Sequence, residues 1–424
     1  MKGIIPSVKG TRDLYPQDMA VRSWLYGIIR RVSESYGYQE YEAPFIEKLD
    51  LYAAKSGEEL VKEQAFVFPD RGGDLITLRP ELTLSLARMV AQKQRELIFP
   101  LRWWSFGPFW RYERPQKGRT REFFQWNIDL IGPSSPECDA ELVTICAAFF
   151  KAVGLSSRQV GIQVNNRRLM DSAMAGLDIV SEIRPVVNRL IDRRDKMRPE
   201  EWDSYGLEIG LNSRQLDGLK GLMKNSELWK QSEELRRFFI ALEAMGLSEY
   251  VHFDASIIRG LDYYTGIVFE ARELDLEGRA ILGGGHYDNL VADVGGDPLP
   301  GVGFAMGDVM IGLVLEKYGL IPAYQPATAP VLVTLFDEAR MTGTFKFCAM
   351  LRNAGVGAAM YPELAKLPKQ FKYADRIGAR FVAILGPDED LSGQVTIKDL
   401  SVREQVTFSQ SDAVAWIKGR LAQE

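Results

Sequence analysis

The sequence predicts an α+β protein: an antiparallel sheet flanked by helices, with a helical insertion and a separate C-terminal three-layer α/β domain. Three observations carry this. Over 251–258, 263–271, 279–283 and 301–306, β-branched and aromatic runs follow one another across short turns, which favours antiparallel pairing. Between 167 and 247 apolar residues recur at helical spacing, first at Ile183, Val186, Val187, Leu190 and Ile191, then at Leu235, Phe238, Phe239 and Leu242. From Val331 onward, strand and helix patterns alternate.

The elements follow in order. After Pro16, the positions Val21, Trp24, Leu25, Ile28, Ile29 and Val32 share one face of a helix that packs on a sheet, and Gly37 supplies its stop. A second helix is expected over 141–154. The C-terminal pattern reads as the strand VLVTLF, a helix to Arg352, a strand near Val356, a helix from Gln370 to Ile377, the strand RFVAILG, a hairpin and a closing helix from Ser411. The expected boundaries are a core in two parts, 1–166 and 249–320, an insertion over 167–248, a linker over 321–330 and a last domain over 331–424. Pro322, Pro326 and Pro330 interrupt the uncharged stretch around the linker, so it makes no stable membrane helix. No internal repeat or low-complexity segment is found.

Composition narrows the chemistry. The chain has 424 residues, 46% hydrophobic and 26% charged, close to the soluble globular average. Its two histidines, His252 and His286, and three cysteines, Cys138, Cys146 and Cys348, fall in no metal-ligand or disulfide spacing. A structural zinc site and a disulfide scaffold are therefore not expected, and the protein reads as cytoplasmic, without a signal peptide or a membrane partner. A net charge of −5 gives no global attraction to nucleic acid, so local clusters must serve, and the last domain is basic relative to the acidic remainder. Gly301, Gly303 and Gly307 miss the G-x-G-x-x-G spacing, no P-loop lysine follows, and no G-x-S-x-G elbow occurs, which excludes Rossmann, Walker and serine-hydrolase chemistry.

Three constellations remain. In FGPFWRYERPQKGRTREFFQWNID, residues 111–121 hold five basic side chains and one acid between two aromatic strands. Arginine forks pair bidentately with phosphate, so Arg111, Arg119 and Arg121 suggest polyphosphate or nucleic-acid contact, with a solvated charged hairpin as the plain alternative. The strands would place Arg111 and Gln125 at the buried ends of the hairpin. In LRPELTLSL, Arg79, Glu81 and Thr83 alternate just before a helix, where Glu81 and Thr83 otherwise serve as a turn and a cap. In RGLDYYTGIVFE, followed by the GGGHYD turn, Tyr263 and Tyr264 supply rigid walls with hydroxyl handles for a small polar ligand, or else pack in the core.

Together these segments resemble the class II aminoacyl-tRNA synthetases and, within them, the histidyl-tRNA synthetase family. KGTRDLYP, GYQEYEAPFIE with Pro44, LRPELT, FWRYERPQKGR, RGLDYYTG, the GGGxYD turn and KQFKYADRIGARFVAILG carry the likeness over nearly the whole chain. The resemblance implies an antiparallel catalytic sheet, an anticodon-reading C-terminal domain and a homodimer. It implies that Glu81, Thr83, Gln125, Asp129, Tyr263 and Tyr264 hold histidine. Arg111, Glu113, Arg119 and Arg259 would hold ATP, with Mg2+ on its phosphates and no metal site on the protein, and Arg111 and Arg259 would be the catalytic cations. The implied reaction forms histidyl-adenylate and transfers the acyl group to tRNA(His).

Four departures stand out: Met310 replaces the arginine of the third class motif and Val309 its glutamate, Asp129 stands for a glutamate, Thr120 for an aromatic, and His286 for the arginine of GGGRYD. A lost guanidinium fork costs about 1.5 to 3 kcal/mol if nothing replaces it. His286 is expected to be structural. The degraded third motif fits an alternative, the non-catalytic regulatory subunit of ATP phosphoribosyltransferase. The last domain and the PQKGR loop fit the synthetase.

Overall fold

The computed structural model describes residues 3–53, 64–116, 118–194, 197–259, 263–275, 280–323 and 329–422. Lys117 of the basic loop, Gly260, Leu261 and Asp262 of the RGLDYYTG segment, Arg279, and residues 324–328 of the expected linker lie outside the described residues. The chain forms two compact units, Met1–Tyr15 with Val21–Ile321, and Pro16–Ala20 with Pro322–Glu424.

Up to the insertion the chain runs α1 (Pro16–Ser35), β1 (Gln39–Glu40), β2 (Ile46–Lys48), α2 (Asp50–Ala53), β3 (Phe66–Pro69), β4 (Leu75–Leu78), α3 (Thr83–Lys93), β5 (Leu101–Trp110), β6 (Glu122–Ile131), α4 (Pro136–Ala152) and β7 (Val160–Asn166). The insertion is α5 (Arg167–Ala175), α6 (Arg184–Asp192), α7 (Pro199–Glu208), α8 (Ser213–Lys224) and α9 (Glu233–Met245). The unit closes with β8 (Val251–Phe253), β9 (Ile267–Glu273), β10 (Leu282–Tyr287), α10 (Leu290–Asp293), β11 (Gly301–Gly307) and α11 (Asp308–Lys317).

Eight strands form the main sheet in the order β1-β5-β6-β11-β10-β9-β7-β8. Its centre is antiparallel as expected, but both edge pairs, β1 with β5 and β7 with β8, are parallel. The β8 pairing follows from the insertion, a long crossover instead of a hairpin. The run 251–258 is a strand over three residues only, because the Asn165 side chain takes the carbonyls of Ala255 and Ile257, each at 3.0 Å. A second difference concerns GGGHYD, expected as a turn. Leu282–Tyr287 is a central strand, and its glycines make room on the sheet surface.

Alternation divides the sheet faces. Trp104, Trp126, Ile128, Leu130, Val160, Ile162, Val164, Phe269, Phe304 and Met306 join one core with α1, α4 and the insertion helices. Helix α4 alone buries Leu142, Val143, Ile145, Phe149 and Phe150, and each such side chain contributes about 1.5 to 3 kcal/mol. The opposite face carries Gln125, Asn127 and Asp129 of β6 beside Gly301, Gly303, Ala305 and Gly307 of β11. Gly283 and Gly285 of β10 and Glu270 of β9 continue that face.

The second unit holds β12 (Val331–Val333), α12 (Met341–Asn353), β13 (Ala358–Met360), α13 (Leu367–Arg376), β14 (Phe381–Ile384), α14 (Pro387–Ser392), β15 (Gln394–Asp399), β16 (Glu404–Ser409) and α15 (Gln410–Leu421). Its sheet order is β13-β12-β14-β15-β16, parallel in the first three strands and antiparallel in the last two pairings. Val331, Phe381 and Ile397 pack with Phe347 and Ile417 on one face, and Leu332 and Val382 pack with Ala374 and Tyr361 on the other. Apolar clusters on both faces are the mark of three layers.

Candidate active site

The polar face of the main sheet is floored by glycine for steric reasons. A Cβ at Gly303 would strike the Asp129 carboxylate, one at Gly301 the Tyr287 ring, and one at Gly283 the Arg259 guanidinium. Three side chains thus lie flat across backbone that has no side chain of its own. Tyr287 Oη donates to Asp129 Oδ1 at 2.9 Å over this floor. Burial pushes the Asp129 carboxyl up to about 7, against the lowering effect of that hydrogen bond. The group is poised to accept a hydrogen bond from a ligand and to ionise as it does so.

Around Asp129 the walls are tyrosines. Tyr263 and Tyr264 pack with ring centroids 4.7 Å apart, and Tyr263 meets Tyr287 edge to face at 6.4 Å. Burial, then the neighbouring Tyr264 and Glu81, raise the Tyr263 hydroxyl well above its ordinary value, and it hydrogen-bonds to Thr83. Glu81 is buried and its carbonyl accepts from Tyr52 Oη at 3.3 Å. Thr83 opens α3, whose N-cap position belongs to Leu82 without a side-chain cap, so Thr83 is available to the pocket instead of to the helix end. Glu81, Thr83, Asp129, Tyr263 and Tyr264 come together, with Gln125 four residues from Asp129 along β6 on the same face.

Arg259 borders this pocket from the other side. Its backbone is left-handed, with φ of 60°, a costly conformation for a β-carbon-bearing residue. Its guanidinium rests on Gly283 and pairs with Glu270, whose other oxygen takes Arg272 Nε at 2.5 Å. Arg259 Nε is buried and finds no hydrogen-bond partner among the described residues.

At the far end of β5 and β6 the basic hairpin closes. Arg111 is half-buried, with Nε donating to the Pro80 carbonyl at 2.9 Å and its guanidinium 5.4 Å from the Phe123 ring centre. It stands just beyond the strand end, while Gln125 lies within β6 opposite Gly107, so only Arg111 is at the hairpin's end. Glu113 pairs with Arg119 at 2.5 Å, and an isolated bridge joins Gln116 and Arg119 across the loop. Arg121 covers the Tyr112 ring at 4.0 Å, a packing role. The N-terminal KGTRD segment straps this hairpin: the Gly10 carbonyl accepts from Arg121 N at 2.8 Å, and Arg12 pairs with Asp308 at 2.7 Å. Asp308 in turn accepts from Phe124 N at 2.9 Å.

Two departures find physical accounts. Met310 packs under the loop, where a Cβ on Gly118 would come within 2.5 Å of its Sδ. His286 points to the opposite face, with Nδ1 3.0 Å from Asp139 and Nε2 3.3 Å from Asp288. Burial alone would depress it, yet the two carboxylates outweigh that and raise its pKa, so it is a structural ion-pair partner. Arg79 likewise serves structure, fully buried with Glu42 and between the Phe45 and Phe109 rings.

Four residues were not singled out by sequence reasoning. Asn127 lies between Gln125 and Asp129 on the pocket face, Tyr287 holds Asp129, Glu270 holds Arg259, and the Tyr41 hydroxyl is buried without a hydrogen-bond partner among the described residues. The alternation in QWNID was signal enough for Asn127. Tyr287 depends on a contact across 158 residues, and no regular spacing marks Glu270 or Tyr41. No group of three or more His, Cys, Asp or Glu side chains suited to a metal occurs among the described residues.

The family pattern described as histidyl-tRNA synthetase matches residues 10–308, and that of an anticodon binding domain matches 331–420. A curated histidine--tRNA ligase of Leptospira biflexa is 35% identical over 98% of this chain and 97% of its own. One from Pyrococcus horikoshii is 35% identical over 99% and 100%. Among solved structures, histidyl-tRNA synthetase from Nostoc sp. PCC 7120 superposes with a TM-score of 0.80 at 28% identity, covering 99% of this chain and all of that one.

Proposed function

Because the chain belongs to the histidyl-tRNA synthetase family, we propose that it activates L-histidine with ATP and transfers the histidyl group to the 3′ end of tRNA(His). The observation that carries this is the juxtaposition of a buried carboxylate and tyrosine pocket with a guanidinium laid on Gly283. Asp129, Glu81, Thr83, Gln125, Tyr263 and Tyr264 bind the amino acid, the carboxylates and hydroxyls taking its ammonium and imidazole N–H groups. Its carboxylate oxygen then attacks the ATP α-phosphorus, a new P–O bond forms, the bond to the β-phosphate breaks and pyrophosphate leaves. Negative charge concentrates on the α-phosphoryl oxygens as it does so. Arg111 and Arg259 are fixed cations that stabilise that charge more than the ground state, so positioning and electrostatics suffice without a protein nucleophile.

Glu113 and Arg119 serve adenine and the outer phosphates. ATP enters as its magnesium complex, with the ion carried by phosphate oxygens, as small hard cations prefer. A homodimer is supported by exposed apolar residues on and beside the small β2-β4-β3 sheet, Ile46 and Phe68 on one of its faces, Val67 and Leu75 on the other, and Phe45 beside it. The exposed Lys372, Tyr373 and Arg376 of α13 offer charge and stacking to an anticodon. No helix among the described residues is long and apolar enough to cross a membrane, and the cytoplasm is the compartment that suits tRNA charging. The regulatory-subunit alternative is less supported, since the anticodon-binding pattern spans 331–420.

The test is histidine-dependent exchange of labelled pyrophosphate into ATP. Exchange above background is expected, and its absence in folded protein with magnesium sinks the enzyme reading. Arg259→Ala should abolish exchange while histidine binding remains measurable; near-normal exchange would show the cation to be misassigned.

A further inference from the structure

Arg259 is held in a left-handed backbone conformation, and the segment bearing it must be fixed by something that outweighs the strain. One residue does most of this. Arg167, the first residue of α5, donates Nε to the Ile258 carbonyl at 3.2 Å, Nη2 to that of Arg259 at 2.6 Å and Nη1 to that of Tyr264 at 2.8 Å. Its backbone N–H reaches the Gly266 carbonyl at 3.0 Å. A planar guanidinium with five donors in a fixed fork can hold the carbonyls of Ile258, Arg259 and Tyr264 together in this way; a lysine ammonium cannot.

The tripeptide is built for the task. Asn165 holds the carbonyls of Ala255 and Ile257, each at 3.0 Å, just upstream of the segment. Asn166 caps α5, accepting from Arg168 N at 2.8 Å, which fixes where the Arg167 side chain leaves the helix. The neighbouring Arg168 turns outward to Glu234 and Asp288, so the two adjacent arginines divide the work.

We propose that Arg167 is a positioning residue for amino-acid activation: its guanidinium gathers the carbonyls of Ile258, Arg259 and Tyr264, placing the Arg259 side chain on Gly283 and the tyrosine walls around the amino acid. It touches no reacting atom in this account, which rests on the synthetase reading above. The motif with Arg111, Glu113 and Arg119 is tied to other elements, so the consequence is selective. Loss of Arg167 disturbs the amino-acid side and the chemical step and leaves ATP affinity alone.

The experiment measures kcat and both KM values for histidine-dependent pyrophosphate exchange in the full chain carrying Arg167→Lys or Arg167→Ala. For Arg167→Lys, which keeps the charge, kcat should fall about 100-fold, the loss typical of an ångström-scale misplacement, with a raised KM for histidine and an unchanged KM for ATP. Guanidinium ion at millimolar concentration should restore part of the exchange in Arg167→Ala. A fall in kcat matched by a fall in the folded fraction, with both KM values unchanged, would reduce Arg167 to a stability role and overturn the proposal. So would kinetics within threefold of the parent chain. Absence of exchange in the unaltered chain sinks the synthetase reading itself, which keeps the two failures apart.

Discussion

The two ends of the polar sheet face are held in different ways. Around Asp129 the functional side chains are buried or half-buried, and three are fastened to another element: Asp129 to Tyr287, Tyr263 to Thr83, Arg259 to Glu270. At the hairpin end, Arg119 is half-exposed and holds Glu113 across a surface loop, and Arg111 leans on one carbonyl and one ring. A pocket that must reject other amino acids needs its polar groups fixed beforehand, because an unpaired buried group is what penalises the wrong ligand. A polyphosphate site gains most of its selectivity from charge and tolerates groups that settle when the ligand arrives. The deep end is therefore the preorganised one, and the hairpin end is the adaptable one.

The contrast can be broken in four places. The largest effect is expected from Gly283→Ala, which puts a methyl group where the Arg259 guanidinium lies; kcat for exchange should fall on the order of 100- to 1000-fold while histidine binding by equilibrium dialysis persists. Retention of kcat would mean that Arg259 acts from elsewhere.

Next, Asp129→Asn should weaken histidine about 10- to 100-fold, as loss of a charge-assisted hydrogen bond does. The same residue has a stability signature in the free protein. A carboxyl whose pKa rises from 3.8 to about 7 on folding binds a proton more tightly when folded, so its contribution is complete below pH 4 and is lost as pH rises to about 7. Thermal midpoints across that window should fall in the parent chain relative to Asp129→Asn; parallel curves would deny the shift.

Third, Arg119→Ala should raise the KM for ATP about tenfold with little change for histidine, and a matching rise for histidine would join the two ends into one unit. The smallest effect is expected from Met310→Arg. A guanidinium returned beside a nucleotide at a partly open site is worth about 0.5 to 1 kcal/mol, so the KM for ATP should fall about two- to fivefold in steady-state exchange. A rise would mean that Met310 and Gly118 are too closely packed to accept the change.

The same division marks what the sequence revealed. Periodicity located α1, α4, the insertion helices and the alternating last domain, because each buries one face of a regular element. The pocket residues came from motifs, and Glu81, Asp129, Tyr263 and Tyr264 do meet. Tyr287 escaped notice because its partner Asp129 lies 158 residues away, and Glu270 because no periodicity marks its pairing with Arg259, 11 residues before it. The GGGHYD run misled for a physical reason. Glycine weakens strands by propensity, and here that weakness is accepted so that ligand-facing side chains can lie against the backbone. The parallel pairing of β7 with β8 was hidden for a different reason, since a crossover through five helices leaves no mark in the strand's own residues.

The glycine floor also has a genetic consequence. Every single-base missense change in a glycine codon introduces a residue with a β-carbon, so mutation at 283, 301 or 303 can only add atoms to a surface already in contact with Arg259, Tyr287 or Asp129. Such positions have no conservative neighbour to drift through. The walls can be exchanged one polar group for another, as Asp129 shows, but the floor has no smaller residue to retreat to.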